Sequence, residues 1–103
     1  MPQLIPPFNF DSLSGFQWDA GNLKKNAEKH GVEYQECEEA FFNQPLIVQS
    51  DKAHSNVEPR YFALGKTSQG RRLFIAFTTR GDKLRVISAR DQHKKERTIY
   101  EAA

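Results

Sequence analysis

Cysteine is almost absent from this 103-residue chain, and the single one is Cys37. One cysteine excludes a disulfide within the chain and a thiolate cluster for zinc. No apolar run approaches the roughly 20 residues of a membrane-spanning helix, and residues 1–4 lack the basic and apolar zones of a signal peptide. We therefore expect a cytoplasmic protein with no membrane partner, in which Cys37 is a small buried hydrophobe.

Motifs for metal and nucleotide chemistry are missing as well. The sequence has no H-E-x-x-H, no cluster of Asp and Glu suited to magnesium, and no glycine-rich phosphate loop. We therefore expect no metal ion and no cofactor, and metal-dependent nuclease chemistry is not predicted.

The charge that is present is divided unevenly along the chain. Residues 1–52 hold four Lys or Arg and eight Asp or Glu, a net charge of −4, whereas residues 53–103 hold eleven and five, a net charge of +6. A basic half is typical of proteins that bind a phosphate backbone. An acidic protein partner or a solvated charged surface would produce the same count.

Periodicity and turn residues predict one α+β domain over residues 16–103, after a proline-rich extension over residues 1–15. Asp19 is a plausible N-cap for the first helix and Gly31 its expected C′ residue. Because the later connections are short, we expect an antiparallel sheet of about four to five strands, with two N-terminal helices and one C-terminal helix on one face. The predicted elements are helices over 20–30 and 33–43, strands over 46–49 and 60–66, a hairpin over 71–90, and a helix over 91–102 whose capping box is Ser88-Ala89-Arg90-Asp91.

The hairpin carries more arginine than a sheet needs. Strict alternation would put Val86, Ser88 and Arg90 on one face and Arg85 on the other. Arg80 at the turn and Arg90 at the junction with the last helix are the strongest candidates for an anion site, since a positive charge near a helix N-terminus is locally unfavourable. An ion pair with a carboxylate is the alternative for each. The five arginines of the hairpin are Arg71, Arg72, Arg80, Arg85 and Arg90.

Two further groups could carry chemistry. His54, Glu58 and Arg60 combine an imidazole, a carboxylate and a guanidinium, which suits acid–base work and charge stabilisation. A surface histidine beside a Glu58–Arg60 ion pair is the alternative. Basic residues of the first helix, Lys25, Lys29 and His30 among them, could contact phosphate or simply face solvent.

Several short motifs occur together over about residues 16–101. They are Trp18-Asp19, Asn26-x-x-Lys29-His30-Gly31-Val32, Phe41-Phe42, Glu58-x-Arg60, Gly65, Gly70-Arg71, Arg85-x-Ile87-Ser88-Ala89-Arg90 and Glu96-Arg97…Tyr100. This combination resembles the BrnT family of toxins. The resemblance implies a RelE-like ribonuclease toxin of a type II toxin–antitoxin pair, which cuts RNA without metal and inhibits translation and growth. It also implies a BrnA-type antitoxin, through which alone the complex reaches operator DNA.

The chain departs from that pattern at Asn22, where the family commonly has Lys, and at Asn43-Gln44-Pro45 after the second helix. The first departure removes one possible phosphate contact. A non-catalytic homologue that acts as a protein-binding module or corepressor in a DNA-bound antitoxin complex is the alternative function. For the ribonuclease, the predicted catalytic residues are His54 or Glu58 as base with Arg60, Arg80 and Arg90 as charge stabilisers, and the predicted RNA-binding residues are Lys25, Lys29, His30 and Arg85.

Overall fold

The computed structural model describes residues 3–4, 13–51 and 58–103. These residues confirm the α+β class, with two helices before the long strands and one after them. The likeness to RelE stays a prediction. The elements are β1 (Gln3–Leu4), β2 (Gly15–Phe16), α1 (Ala20–His30), α2 (Tyr34–Phe42), β3 (Ile47–Ser50), β4 (Arg60–Lys66), β5 (Arg72–Arg80), β6 (Lys83–Asp91) and α3 (Lys94–Glu101).

The strands form one sheet in the order β1-β3-β4-β5-β6-β2. The four long strands are an antiparallel meander, as predicted. The two-residue strands β1 and β2 pair in parallel with β3 and β6 at opposite edges. The expectation of a wholly antiparallel sheet of four to five strands is therefore wrong at both edges. Parallel pairing is possible there because helices lie between each edge strand and its partner, and a parallel connection needs a long crossover.

The helix ends follow from local capping. Asp19 caps α1 as predicted, since its Oδ1 accepts from the backbone N–H groups of Gly21 and Asn22 at 3.0 and 3.2 Å. The predicted capping box of α3 at residues 88–91 is wrong. Strand β6 continues to Asp91, which pairs with β5, and the box is formed by His93 and Glu96 instead. Sheet pairing thus displaces the start of the helix by three residues.

The inner face of the sheet packs against α2. Ile75 and Phe77 are fully buried there, and the ring of Phe77 meets Phe41 edge to face at 5.1 Å. Cys37 lies in the same core, as predicted. Burial raises the pKa of its thiol to about 12, so it is not a thiolate at neutral pH.

The outer face packs against α3 through Tyr100, Leu64 and Ile47. The expectation that all helices share one face is therefore wrong. Successive residues of β4 point to opposite faces of the sheet: Ala63 belongs to the inner core, whereas Leu64 packs with the residues of the α3 contact. Over the described residues, no helix is both long and apolar enough to cross a membrane.

A β-bulge decides where the side chains of β6 point. Ala76 pairs with Ser88 and Phe77 pairs with Val86, which leaves Ile87 as the extra residue. The bulge reverses the alternation beyond this point, so the predicted grouping of Ser88 with Val86 is wrong. Ser88 shares the outer face with Arg85 and Arg90, whereas Ala89 is buried beneath the sheet.

Candidate active site

The end of the outer face that is not occupied by the α3 contacts carries a pocket of about 240 Å³. Sheet register builds its floor, because Arg60, Thr78 and Arg85 are direct partners across β4, β5 and β6 and share one face. The first turn of α1 forms one side. The pocket is lined by Gly21, Asn22, Lys25, Glu58, Arg60, Arg80, Arg85, Val86 and Ile87.

Glu58 and Arg80 form a two-pronged ion pair at the rim. The guanidinium Nε and Nη2 donate to the two carboxylate oxygens at 3.2 and 3.3 Å. This hydrogen bonding lowers the pKa of Glu58, and the charges of Arg80, Arg60 and Arg85 act in the same direction. The same bond raises the pKa of Arg80. Glu58 is therefore ionised at neutral pH.

Arg85 is held in place from α1 and the chain before it. Its Nη1 donates to Asp19 Oδ2 at 2.8 Å and to Gln17 Oε1 at 3.2 Å. The bond from Arg85 lowers the pKa of Asp19, followed by the backbone bond from Asn22. Asp19 thus uses one oxygen to cap α1 and the other to orient Arg85, which fixes the helix relative to the pocket floor.

Asn22 fastens the same helix turn to β6. It is buried, and its Nδ2 donates to the carbonyl oxygens of Gln17 and Val86 at 3.1 and 3.2 Å. Its Oδ1 accepts from the N–H of Asp19 at 2.8 Å. At the position where the resemblance leads one to expect Lys, this chain therefore has a residue that supports the wall of the pocket.

The arrangement suits an anionic, phosphate-bearing ligand. Four basic side chains surround one carboxylate, and the N-terminal turn of α1 adds the positive end of a helix dipole. Arginine guanidinium groups bind phosphate oxygens in pairs and remain charged. An ionised carboxylate within such a group can accept a proton.

The structure brings together five of the residues predicted from sequence, namely Lys25, Glu58, Arg60, Arg80 and Arg85. They come from one helix, three strands and the segment that leads into β4, so only the folded chain makes them neighbours.

Lys29 and His30 lie towards the other end of α1. Lys29 is about one helical turn beyond Lys25 and does not line the pocket. The carbonyl oxygen of His30 accepts from Arg71, whose guanidinium also bonds Asp91. Their predicted contact with RNA stays a prediction, and it would have to be made outside this pocket.

Arg90 is also separated from the pocket. It pairs with Phe74, and Arg80 lies six residues further along β5, which is about 20 Å at the usual rise of a strand. Its guanidinium donates to both oxygens of Glu96 at 2.8 and 2.9 Å and lies 4.1 Å from the centre of the Phe74 ring. Arg80 and Arg90 therefore do not converge on one phosphate, and Glu96 supplies the carboxylate partner considered as the alternative.

His54 lies outside the described residues. In the part of the chain that the structure does describe, no three His, Cys, Asp or Glu side chains are grouped closely enough to hold a metal ion.

Sequence reasoning missed the supporting role of Gln17, Asp19 and Asn22. The N-cap signal found Asp19, but a cap uses only one carboxylate oxygen, and its second contact depends on where β6 lies. For Asn22 the available signal was the replacement of a commonly charged residue by a short amide, which is compatible with burial.

Comparison with known proteins gives one family. Residues 18–96 match the family described as "Ribonuclease toxin, BrnT, of type II toxin-antitoxin system". A search of curated proteins returned no match. The matched range includes every described residue that lines the basic pocket. With more than three quarters of its length matched, the chain belongs to the BrnT family of type II toxin–antitoxin ribonuclease toxins.

Proposed function

We propose that this protein is a cytoplasmic endoribonuclease toxin that cuts RNA without a metal ion and so inhibits translation and growth. One observation carries the proposal: Lys25, Arg60, Arg80 and Arg85 surround the ionised carboxylate of Glu58 in a single pocket. Membership of a ribonuclease toxin family supports the same reaction class.

The reaction uses the 2′-hydroxyl of the RNA as nucleophile. That oxygen attacks the neighbouring phosphorus, the bond from phosphorus to the 5′-oxygen breaks, and a 2′,3′-cyclic phosphate and a 5′-hydroxyl form. Glu58 takes the proton from the 2′-hydroxyl and Lys25 gives one to the leaving 5′-oxygen. Arg60 and Arg80 stabilise the charge that develops on the phosphate.

The ion pair between Glu58 and Arg80 fits this scheme as a resting state. A phosphate that enters the pocket competes with Glu58 for the guanidinium of Arg80. When Arg80 changes partner, the main cause of the lowered pKa of Glu58 is removed, and the pKa returns towards its ordinary value. Glu58 then becomes a stronger base at the moment when the substrate is bound.

The partner that we propose is a BrnA-type antitoxin, and operator DNA is contacted only through that protein. Membership of a type II toxin–antitoxin family supports the existence of such a partner. The basic lining of the pocket would be complementary to an acidic antitoxin segment, which would neutralise the toxin by covering the site.

The test is RNA cleavage by the purified chain in the presence of EDTA. The parent should cut total RNA, Arg80→Ala should lower the rate by about 10²–10³-fold, and Glu58→Gln should lower it by about 10²–10⁴-fold. Arg72→Ala is the matched control, since Arg72 lies at the opposite end of β5 and pairs with Glu101 on α3.

RNA left intact by the folded parent would overturn the catalytic proposal. Cleavage that stops with EDTA and returns with magnesium would overturn its metal independence. Equal losses in Arg80→Ala and Arg72→Ala would show that the basic pocket is not the site. The cleaved ends should carry a cyclic phosphate and a 5′-hydroxyl, and a 5′-phosphate would refute the 2′-hydroxyl mechanism.

A non-catalytic binding module is the second candidate, and the ion pair itself favours it. Both carboxylate oxygens of Glu58 are occupied by Arg80, and the lowered pKa makes Glu58 a weak base in this state. Expression without an antitoxin distinguishes the candidates. Soluble, folded protein that fails to arrest growth would favour the binding module.

A further inference from the structure

A groove lies on the outer face of the sheet, between the strands and α3. It encloses about 460 Å³, and most of its surface is apolar. Its floor comes from β3, β4 and β5, and its wall comes from α3 and the residue before it. The lining residues are Ile47, Gln49, Phe62, Leu64, Phe74, His93, Lys95, Glu96 and Ile99.

Two aromatic rings form part of this floor. Phe62 and Phe74 stack with 5.6 Å between ring centres and 19° between planes. Both side chains are only partly buried, so the groove can offer the surface of a ring to a ligand.

The groove adjoins the basic pocket. Phe62 follows Arg60 by two residues on β4, so both point to the outer face, with about 7 Å between their backbone positions. In the next row Phe62 pairs with Ala76, and Ala76 pairs with Ser88, all on the same face. Ala76 and Ser88 have small side chains, so they leave space on the outer face beside Phe62.

The charge around the groove is complementary to a nucleic acid backbone. Lys95 lines it, and Lys94 is an exposed neighbour on α3. The negative charge of Glu96 is balanced by Arg90, whose two terminal guanidinium nitrogens donate to its carboxylate oxygens. Positive charge beside exposed aromatic rings is the combination with which proteins hold single-stranded nucleic acid, because bases stack on the rings while the backbone follows the charge.

We propose that this groove binds the base of a nucleotide adjacent to the scissile phosphate, with Phe62 as the stacking surface. The inference rests on the proposed ribonuclease function, since the basic pocket must hold the phosphate while the groove holds the base. The occupant is single-stranded RNA, because a duplex keeps its bases paired and stacked away from the protein surface.

The experiment compares two fluorescein-labelled probes of equal length. One is a single-stranded RNA with 2′-O-methyl groups, which cannot attack its own phosphate, and the other is the same backbone with every base removed. Both are titrated against the full chain and against three variants. Phe62→Leu keeps apolar bulk without a ring, Phe62→Tyr keeps the ring, and Arg60→Ala removes charge from the pocket.

Phe62→Leu should weaken binding of the base-bearing probe by about 5- to 100-fold and leave the abasic probe within about twofold. Phe62→Tyr should retain the parent's affinity for both probes, and Arg60→Ala should weaken both. A Phe62→Trp variant adds an optical readout with unlabelled probes, since quenching beyond that of Trp18 in the parent should occur with the base-bearing probe alone. Thermal melting of each variant separates a loss of fold from a loss of binding.

Unchanged affinity in folded Phe62→Leu, or an equal loss for both probes, overturns the base site and leaves the groove to a protein partner. The outcome for the proposed function is separate. If the parent cuts RNA while Phe62→Leu binds as the parent does, the base site alone fails. If the parent neither cuts RNA nor binds either probe, both proposals fail together.

Discussion

Replacing Asn22 by Ala should destabilise the protein more than the same substitution at Asn43, whose side chain is less buried. The buried side chain makes hydrogen bonds to Gln17, Asp19 and Val86. Each bond is worth about 0.5–1.5 kcal/mol, and partners left buried without a replacement raise the cost. We therefore expect a loss of about 2–4 kcal/mol in the free energy of unfolding, a large share of the about 5–15 kcal/mol of a domain.

The matched control is Asn43→Ala. Asn43 is half-buried, and its Nδ2 donates to the carbonyl oxygen of Lys66 at 3.0 Å and to Ser68 at 3.4 Å. With one good hydrogen bond at stake, the loss should be about 1 kcal/mol. The two variants thus differ in the number and burial of the bonds removed, and both remove the same chemical group.

Urea denaturation followed by circular dichroism measures both losses. The midpoint for Asn22→Ala should fall by roughly 1–2 M with little change in slope. Under conditions where the variant is still folded, binding of RNA should weaken as well, because Asn22 anchors the helix turn that holds Asp19 and Arg85. A loss below about 1 kcal/mol, or one equal to that of Asn43→Ala, would refute the role of Asn22 as a fastening between α1 and β6.

Three further predictions concern the dependence of stability on acidic pH, the contact between α2 and β4, and the thiol of Cys37. Arg80 is the main cause of the lowered pKa of Glu58 in the folded state. The stability that Glu58 contributes is therefore present above its unfolded pKa of about 4.3 and is lost as the pH falls through the lower folded value. The difference in urea midpoint between the parent and Glu58→Gln should disappear below about pH 4, and a difference that does not change with pH would contradict this prediction. Gly65→Ala should lower the free energy of unfolding by about 1–3 kcal/mol, because the added Cβ would lie 2.8 Å from the backbone oxygen of Ala40. An unchanged melting temperature would show that α2 can shift on β4 to make room for it. Cys37 should resist alkylation at neutral pH until the chain unfolds, since the thiol is buried with a pKa of about 12, and rapid labelling of native protein would disprove this.

Local sequence signals predicted the elements well where the deciding contacts are also local. The bounds of α1 follow from Asp19 as cap and from Gly31, whose φ of 65° is the left-handed conformation expected at C′. The strand over residues 60–66 is also as predicted. The last helix began too early in the prediction because pairing of Asp91 with Leu73, a contact between strands, continued β6 past the apparent capping box.

The candidate site was predictable in its residue types and only partly in its membership. Arginine excess in a β-hairpin indicated anion binding, and Arg80 and Arg85 do line the pocket. Arg71, another arginine of the hairpin, forms ion pairs with Glu36 and Asp91, and these contacts join segments that meet only in the fold. Arg80 and Arg90 were both predicted as charge stabilisers although the sequence placed one at the turn and the other at the far end of the strand, and the register of β5 and β6 shows how far apart these positions are.

The sequence by itself determined the α+β class, the caps of α1, the charge asymmetry and the family, because each depends on short-range patterns or on motifs read in order. The tertiary structure decided which charges share a site. The bulge at Ile87 sets the face of every later residue of β6, and sheet register brings Arg60 and Arg85 together while placing Arg90 beside Glu96. These outcomes depend on pairing between distant segments, where a shift of one residue moves a side chain to the opposite face.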